Sequence, residues 1–129
     1  MGQAAPIVRR TSVLVVEDEA LILEMMCDVL FENGFNVHAV SNASDALRYL
    51  GDGGVVDVLF TDINLPGGMD GSALAMQARQ MRPELPVVYT SGGVTALNPL
   101  HAVPGSAFVP KPYDPTKICD VLSRLATAH

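Results

Sequence analysis

The feature that most constrains the fold is a regular alternation of short apolar runs with longer amphipathic segments. The runs are rich in β-branched residues, and the segments between them repeat apolar residues at helical spacing. This alternation, with short connections, predicts an α/β domain with a parallel, doubly wound sheet and helices on both faces. The five predicted strands are 12–16, 36–40, 55–61, 86–90 and 107–109.

Three helices are predicted between the first four strands. The first ends before Gly34, a residue type favoured just after a helix, and the third ends before Pro83, which cannot continue one. Asn42 is placed to cap the second. The predicted ranges are 20–33, 43–50 and 71–82. The expected buried faces are Ile22, Met25, Met26, Val29 and Leu30 in the first helix, and Leu74, Ala78 and Met81 in the third.

The remaining third of the chain predicts one strong helix and one weak one. Asp114-Pro115 combines a capping residue with proline in the first helical turn, and it opens the last predicted helix. The stretch 92–105 contains a glycine pair and two prolines, so only a short or broken helix is expected there. The first predicted strand begins at residue 12, so we predict a leader over residues 1–11 and one domain over 12–127. The buried face of the last helix is expected to be Ile118, Val121, Leu122 and Leu125.

Composition and charge exclude several classes of protein. A hydrophobic content of 49% argues against disorder, and no apolar run approaches the ~20 residues that cross a bilayer. The N-terminus lacks the apolar core of a signal peptide, so a cytoplasmic location is expected. The net charge of −6 and the lack of a basic stripe argue against direct nucleic-acid binding. Cys27 and Cys119 are expected to be buried, reduced thiols.

Polar residues follow four of the five predicted strands. Because the carboxyl ends of parallel strands lie at one edge of a sheet, these residues are expected to meet there. Each of them alone could be a helix cap or a surface charge, but their coincidence at four strand ends indicates a site. In strand order they are Glu17, Asp18 and Glu19 after the first, Asp62 after the third, Thr90 and Ser91 after the fourth, and Lys111 after the fifth.

The chemistry of this set favours a divalent cation and phosphoryl transfer. Neighbouring carboxylates repel one another by several kcal/mol at an effective dielectric near 20, and Lys111 offsets only one charge. The remaining oxygen ligands suit Mg²⁺ or Mn²⁺. A metal, a lysine and a hydroxyl around a carboxylate are typical of phosphoryl transfer, in which a carboxylate can be the nucleophile. His38 is expected on the polar face of an edge strand, without a catalytic role.

Together these residues resemble the receiver domain of bacterial two-component response regulators, the CheY-like fold, from about residue 11 to residue 126. The resemblance implies the flavodoxin-like strand order 2-1-3-4-5. It also implies a switch that takes a phosphoryl group from a histidine kinase or a histidine phosphotransfer protein. The face formed by the fourth expected helix, the fifth strand and the last helix would then change to control a downstream protein. The motifs are VLVVEDE (13–19), DVLFTDINLPGGMDG (57–71), PVVYTSGG (86–93) and FVPKPYD (108–114).

The resemblance assigns a role to each residue that matches a family motif. Asp62 is the expected phosphoacceptor. Glu17 and Asp18 are expected to hold Mg²⁺ with the Asp62 carboxylate and the backbone carbonyl of Asn64. The backbones of Asn64 and Gly92 are expected to contact the phosphoryl group.

Further roles fall on the fourth and fifth strands. Lys111 is expected to pair with the phosphoryl oxygens, next to a cis peptide bond at Pro112. Ser91 matches the switch hydroxyl, and Phe108 matches the aromatic residue whose burial follows the movement of that hydroxyl. No enzymatic activity is expected beyond Mg²⁺-dependent self-phosphorylation and self-dephosphorylation.

Three departures from the family pattern carry their own expectations. Glu17 stands where aspartate is commoner, which implies a contact with the metal through water. The segment PGGMDG is one residue longer than the common form, so the loop after Asp62 is expected to bulge differently. Lys111 follows Ser91 by only 20 positions, which implies a short or mobile fourth helix.

Three other functions are consistent with the sequence. The chain could be a receiver domain cut from a hybrid histidine kinase or a larger regulator. It could also be a phosphatase-like, metal-dependent hydrolase, which would be expected to carry a lid. A degenerate, purely structural receiver fold would be expected to have lost a metal carboxylate, the acceptor or the lysine.

Overall fold

A computed structural model of the chain describes residues 10–92, 102–111 and 114–126. These residues form one five-stranded parallel sheet in the order β2-β1-β3-β4-β5. The predicted fold class and strand order are therefore confirmed. The strands are β1 (Ser12–Val16), β2 (Asn36–Val40), β3 (Val58–Asp62), β4 (Val87–Ser91) and β5 (Ala107–Pro110). The helices are α1 (Ala20–Glu32), α2 (Ala43–Gly51), α3 (Gly71–Met81) and α4 (Pro115–Ala126).

The label α4 belongs here to the last predicted helix, which begins at Pro115 as expected. Most of the stretch that predicts a short or broken helix, residues 93–101, lies outside the described residues. The same holds for Pro112, and so for the predicted cis peptide bond, and for residues 1–9 of the predicted leader. Within the described part of the chain, no helix is long and apolar enough to cross a membrane.

The sheet separates two apolar cores, and the described residues place two helices on each face. Alternate strand residues point to opposite faces, which divides each central strand between the two cores. The first core packs under α2 and α3, and the second packs under α1 and α4. Large residues of the first are Leu14, Leu59, Leu74 and Tyr89, and those of the second are Met26, Leu30, Phe60, Ile118 and Leu122.

The third strand begins later than its sequence suggests. Its apolar run starts at Val55, but β3 starts at Val58 because Asp57 bridges to Ser12 at the start of β1, 45 positions earlier in the chain. The Asp57 carboxylate accepts a hydrogen bond from the Ser12 backbone amide at 2.7 Å, and the Asp57 amide donates to the Ser12 carbonyl at 2.7 Å. At its other end β3 extends one residue further than predicted, to Asp62.

Two predicted core methionines are on the surface. Met25 is 43% exposed, because the buried line of α1 runs through Met26 and Leu30, a quarter turn away. Met81 is 46% exposed, because it is the last residue of α3. Cys119 is buried and Cys27 is partly buried, and both are free thiols whose pKa is raised by burial.

Two predicted capping residues accept hydrogen bonds from backbone amides at the start of their helices. Asn42 accepts a hydrogen bond from the Asp45 amide at 2.8 Å and so caps α2. Asp114 accepts one from the Thr116 amide at 2.9 Å at the start of α4. On the edge strand β2, His38 is exposed and stacks on the ring of Tyr49 with centroids 3.7 Å apart, which agrees with a structural role.

Candidate functional site

Three carboxylates meet at the carboxyl edge of the sheet. Asp62 is the last residue of β3 and Glu17 directly follows β1, and they are only 4% and 3% exposed. Asp18, next along the chain, is exposed. One carboxylate oxygen of each residue lies within 4.8 Å of the other two. The structure thus brings together the carboxylates that the sequence predicts as metal ligands.

Lys111 joins two of these carboxylates. Its Nζ atom lies 2.6 Å from Glu17 Oε1 and 2.8 Å from Asp62 Oδ2. The backbone amide of Lys111 donates to the carbonyl oxygen of Ser91 at 3.0 Å, which fixes the residue just beyond the end of β5. Each partner comes from a different strand, so the ion pairs depend on the alignment of three strand ends.

Burial and charge act against each other in this cluster. Burial alone lowers the pKa of Lys111, but the hydrogen bond to Asp62 and the contact with Glu17 raise it above its ordinary value. Burial raises the pKa of Glu17, and Lys111 only partly offsets this effect. Among the described residues, one ammonium group lies beside a cluster of three carboxylates. The shortage of positive charge, together with the hard oxygen ligands, fits a divalent cation such as Mg²⁺.

Ser91 and Asn64 form a polar link beside the acceptor. Ser91, at the end of β4, is fully buried. The Asn64 backbone amide donates to Asp62 Oδ1 at 3.0 Å, and its side-chain Nδ2 donates to Ser91 Oγ at 2.9 Å. Of the other predicted switch residues, Phe108 is half-buried on β5 beside Tyr89 of β4, and Gly92 is exposed directly after β4.

Comparison with known proteins identifies this arrangement. Residues 13–123 match the family model of the response regulator receiver domain. The chain belongs to this family. Because the match covers most of the chain, with β2 to β5, all of β1 except Ser12, and α1 to α3, the receiver domain accounts for the carboxyl edge of the described sheet.

Relatives of the receiver domain occur in two kinds of signalling protein. The chain is 31% identical over 119 residues to the DNA-binding transcriptional regulator NtrC of Rhizobium meliloti, covering 88% of this chain and 23% of that protein. It is 32% identical over 106 residues to the sensor kinase CckA of Brucella abortus, covering 79% of this chain and 11% of that protein. The chain thus spans no more than about a quarter of these relatives and is a receiver domain of two-component systems.

Solved structures agree on the fold. The crystal structure of a response regulator receiver protein from Sinorhizobium medicae is 32% identical to the chain, with a TM-score of 0.87 over 92% of this chain and 96% of that one. The receiver domain of the hybrid histidine kinase CckA is 27% identical, with a TM-score of 0.76 over 90% and 99% of the two chains. These matches favour a receiver domain over the hydrolase reading.

Two features of the receiver site are not predicted from the sequence. The family motif implies only main-chain roles for Asn64, and its side-chain hydrogen bond to Ser91 joins residues 27 positions apart. Gly71, the first residue of α3, packs so closely on β3 that an added Cβ would lie 2.9 Å from two backbone carbons, Asp62 C and Ile63 Cα. The available signal was a glycine directly after the helix cap Asp70, where helix propensity gives no reason for one.

Proposed function

We propose that this receiver domain is a phosphorylation-controlled switch in which Asp62 accepts a phosphoryl group from a histidine kinase or a histidine phosphotransfer protein. A carboxylate oxygen of Asp62 bonds to phosphorus as the phosphorus–nitrogen bond of the phosphohistidine breaks, and the released imidazole takes up a proton. Apart from this self-phosphorylation and the later hydrolysis of the acyl phosphate, we propose no enzymatic activity.

The observation that carries the proposal is the way in which Asp62 is held. One carboxylate oxygen contacts Lys111 Nζ at 2.8 Å, and the other accepts from the Asn64 backbone amide at 3.0 Å. The carboxylate is therefore fixed in orientation, with a cation and an amide placed where negative charge collects during phosphoryl transfer. The raised pKa of Lys111 keeps that cation charged at physiological pH.

Mg²⁺ is the proposed cofactor, and Mn²⁺ would satisfy the same ligands. Glu17, Asp18 and Asp62 would hold the ion with their carboxylates, joined by the backbone carbonyl of Asn64. When bound, such an ion neutralises charge on the phosphoryl oxygens. The exposed side chain of Asp18 gives the ion access from solvent, whereas Glu17 is buried and already paired with Lys111. This pairing supports the expectation that Glu17 acts on the metal through water.

The proposed output is a change on the face around β5. Ser91 would turn toward the phosphoryl group, and the Asn64 and Gly92 backbones would contact that group. Phe108 is half-buried, so it has surface left to bury when Ser91 moves. The change would extend to α4 and to the helix predicted before β5, and it would control a downstream protein. No direct contact with nucleic acid or membrane is proposed.

The proposal is tested by labelling with a small acyl phosphate and Mg²⁺. We expect one acid-stable, base-labile phosphoryl group on the wild-type protein and none on Asp62→Asn. Asp70→Asn is the matched control, because it makes the same chemical change at an exposed helix cap where asparagine serves equally well. A chelator is expected to block labelling and to leave the circular dichroism spectrum unchanged. Labelling that persists in Asp62→Asn would refute the assignment.

A further inference from the structure

We propose that Thr90 is a positioning residue for Lys111, whose ammonium group donates a hydrogen bond to Thr90 Oγ1 when Asp62 carries a phosphoryl group. The inference rests on the proposed function, because it concerns how the phosphorylated protein is held together. It goes beyond that function by giving a role to a buried hydroxyl that lies outside the acceptor, metal and switch residues.

The hydroxyl of Thr90 is buried without a partner. Thr90 is only 3% exposed, and its Oγ1 atom has no hydrogen-bond partner among the described residues. Leaving a buried hydroxyl unpaired costs free energy, and valine would fill the same space without this cost. Valine occupies the first two positions of the same strand, Val87 and Val88. The threonine is explained by a partner that becomes available in another arrangement of the site.

Strand register places Thr90 beside the phosphoacceptor. Thr90 of β4 and Asp62 of β3 are Cα partners in the parallel sheet. Val88 and Phe60 belong to the core under α1 and α4. Thr90 and Asp62 each lie two positions further along the same two strands. Because residues two positions apart on a strand point to the same face, the side chains of Thr90 and Asp62 are neighbours on that face of the sheet.

The side chain of Lys111 crosses the end of the strand that carries Thr90. Lys111 follows β5, and β4 lies between β5 and β3. The Nζ atom nevertheless lies 2.8 Å from Asp62 Oδ2 at the end of β3. Gly92, directly after β4, marks the path, since a Cβ added there would lie 3.6 Å from Lys111 Cβ and 3.8 Å from Lys111 Cδ. The lysine therefore passes over the carboxyl end of β4, close to Thr90.

Lys111 has a proton left for this hydroxyl. An ammonium group carries three protons and no acceptor. Asp62 and Glu17 occupy no more than two of these protons, at 2.8 Å and 2.6 Å from Nζ. When a phosphoryl group is attached, the bonded oxygen of Asp62 loses its charge, and Lys111 turns toward the phosphoryl oxygens. Thr90 Oγ1 then accepts the remaining proton, in a hydrogen bond that is strengthened by the charge of its donor.

The test compares Thr90→Val, which removes the hydroxyl and keeps the shape, with Thr90→Ser, which keeps the hydroxyl. The readout is the apparent affinity for beryllium fluoride, a phosphoryl analogue, measured with Mg²⁺ by amide NMR. We expect Thr90→Val to weaken this affinity about 10-fold, the low end for a hydrogen bond to a charged group, and Thr90→Ser to match the wild type. Thr90→Val is expected to be no less stable than the wild type, so poor folding would not explain the loss.

A second readout reports on Lys111 itself. Ammonium protons that are hydrogen-bonded exchange slowly with water, so the ammonium NMR signal of Lys111 is expected to be resolved in the wild type with beryllium fluoride bound. Faster exchange of these protons is expected in Thr90→Val, and slow exchange in Thr90→Ser. A threonine that only fills space would leave this exchange rate unchanged.

Thr61→Val is the matched control. Thr61 is also a buried threonine near the end of a central strand, but its hydroxyl already donates to the Asp62 carbonyl at 2.9 Å. It lies on the opposite face of the sheet, two positions after Leu59 in the core under α2 and α3. We expect Thr61→Val to bind beryllium fluoride as the wild type does. A loss equal to that of Thr90→Val would overturn the inference, because the effect would then not be specific to Thr90.

Two further results would overturn the inference. One is an unchanged affinity for beryllium fluoride in Thr90→Val, and the other is an unchanged exchange rate of the Lys111 ammonium protons. Thr90→Ala repeats both measurements if Thr90→Val fails to fold. If wild-type Asp62 cannot be labelled by an acyl phosphate, the proposed function fails. If Asp62 is labelled normally and Thr90→Val binds the analogue as well as the wild type does, only the role of Thr90 fails.

Discussion

Replacement of Gly71 by alanine gives a sharp test of how the site is built. Gly71 is buried at the start of α3, and its backbone amide donates to the Ile63 carbonyl at 2.8 Å. A Cβ at this position would clash most closely with the carbonyl oxygen of Asp62, and it would lie 2.9 Å from the carbonyl carbon of Asp62 and from Ile63 Cα. Non-bonded carbon atoms prefer separations of about 3.5–4.0 Å, so each contact is too short by roughly 0.6–1 Å.

Neither main-chain segment can yield without disturbing the sheet or the helix. The clashing atoms belong to the backbone of Asp62, the last residue of β3, and of Ile63, which follows it, and the Asp62 carboxylate depends on the same backbone. Overpacking of this kind typically costs 1–3 kcal/mol, and we expect Gly71→Ala to lie near the top, at about 3 kcal/mol. At about 2.1 cal/mol/K of unfolding entropy per residue, a 129-residue domain loses about 4 °C in Tm per kcal/mol. The expected loss is therefore about 12 °C.

The assay is thermal and urea unfolding followed by circular dichroism, with acyl-phosphate labelling of Asp62 on the folded variant. Gly68→Ala is the control, because an added Cβ there meets nothing within 4 Å and the φ angle of Gly68 is not positive. We expect Gly68→Ala to stay within about 0.5 kcal/mol of the wild type. A Gly71→Ala variant that unfolds within the same margin and labels at the normal rate would show that α3 and the end of β3 accommodate the added Cβ without strain.

Two further predictions concern buried hydroxyls of β4. Tyr89→Phe removes the acceptor of the Val103 amide (3.2 Å), so a loss of about 1–2 kcal/mol is expected at pH 7. Burial raises the pKa of Tyr89 above its ordinary 10.0, so wild-type stability from this group is complete below pH 10 and is lost as the pH rises through the folded-state pKa. The deficit of Tyr89→Phe should therefore shrink above pH 10 in urea unfolding, and a constant deficit from pH 7 to 11 would contradict this. Thr90 Oγ1 is buried without a hydrogen-bond partner among the described residues, so Thr90→Val should raise stability by about 1 kcal/mol; a loss of that size would show that the hydroxyl has a partner.

Local pattern was sufficient for the architecture. The helices and strands are predicted correctly where the signal is local. These signals are the period of the apolar residues, the caps at Asn42 and Asp114, and the glycine after α1. Each signal depends only on neighbours within a few residues. The predictions are wrong where a contact with a distant residue determines the start of a strand or the exposure of a side chain. Asp57 shortens β3 through a bridge to Ser12, 45 positions away, and the exposure of Met25 depends on how α1 is rotated against the sheet.

The candidate site likewise has features that the sequence pattern predicts and features that depend on distant contacts. The residue types that follow each strand can be read from the sequence, and parallel pairing places Glu17, Asp62, Ser91 and Lys111 at one edge, because the carboxyl ends of parallel strands coincide. The contacts of Lys111 with Glu17 and Asp62, and of the Asn64 side chain with Ser91, exist only in the folded chain. Such contacts depend on strand register and on side-chain rotamers set by packing, with tolerances below 1 Å. A pattern of residue types along one chain does not contain distances of that precision.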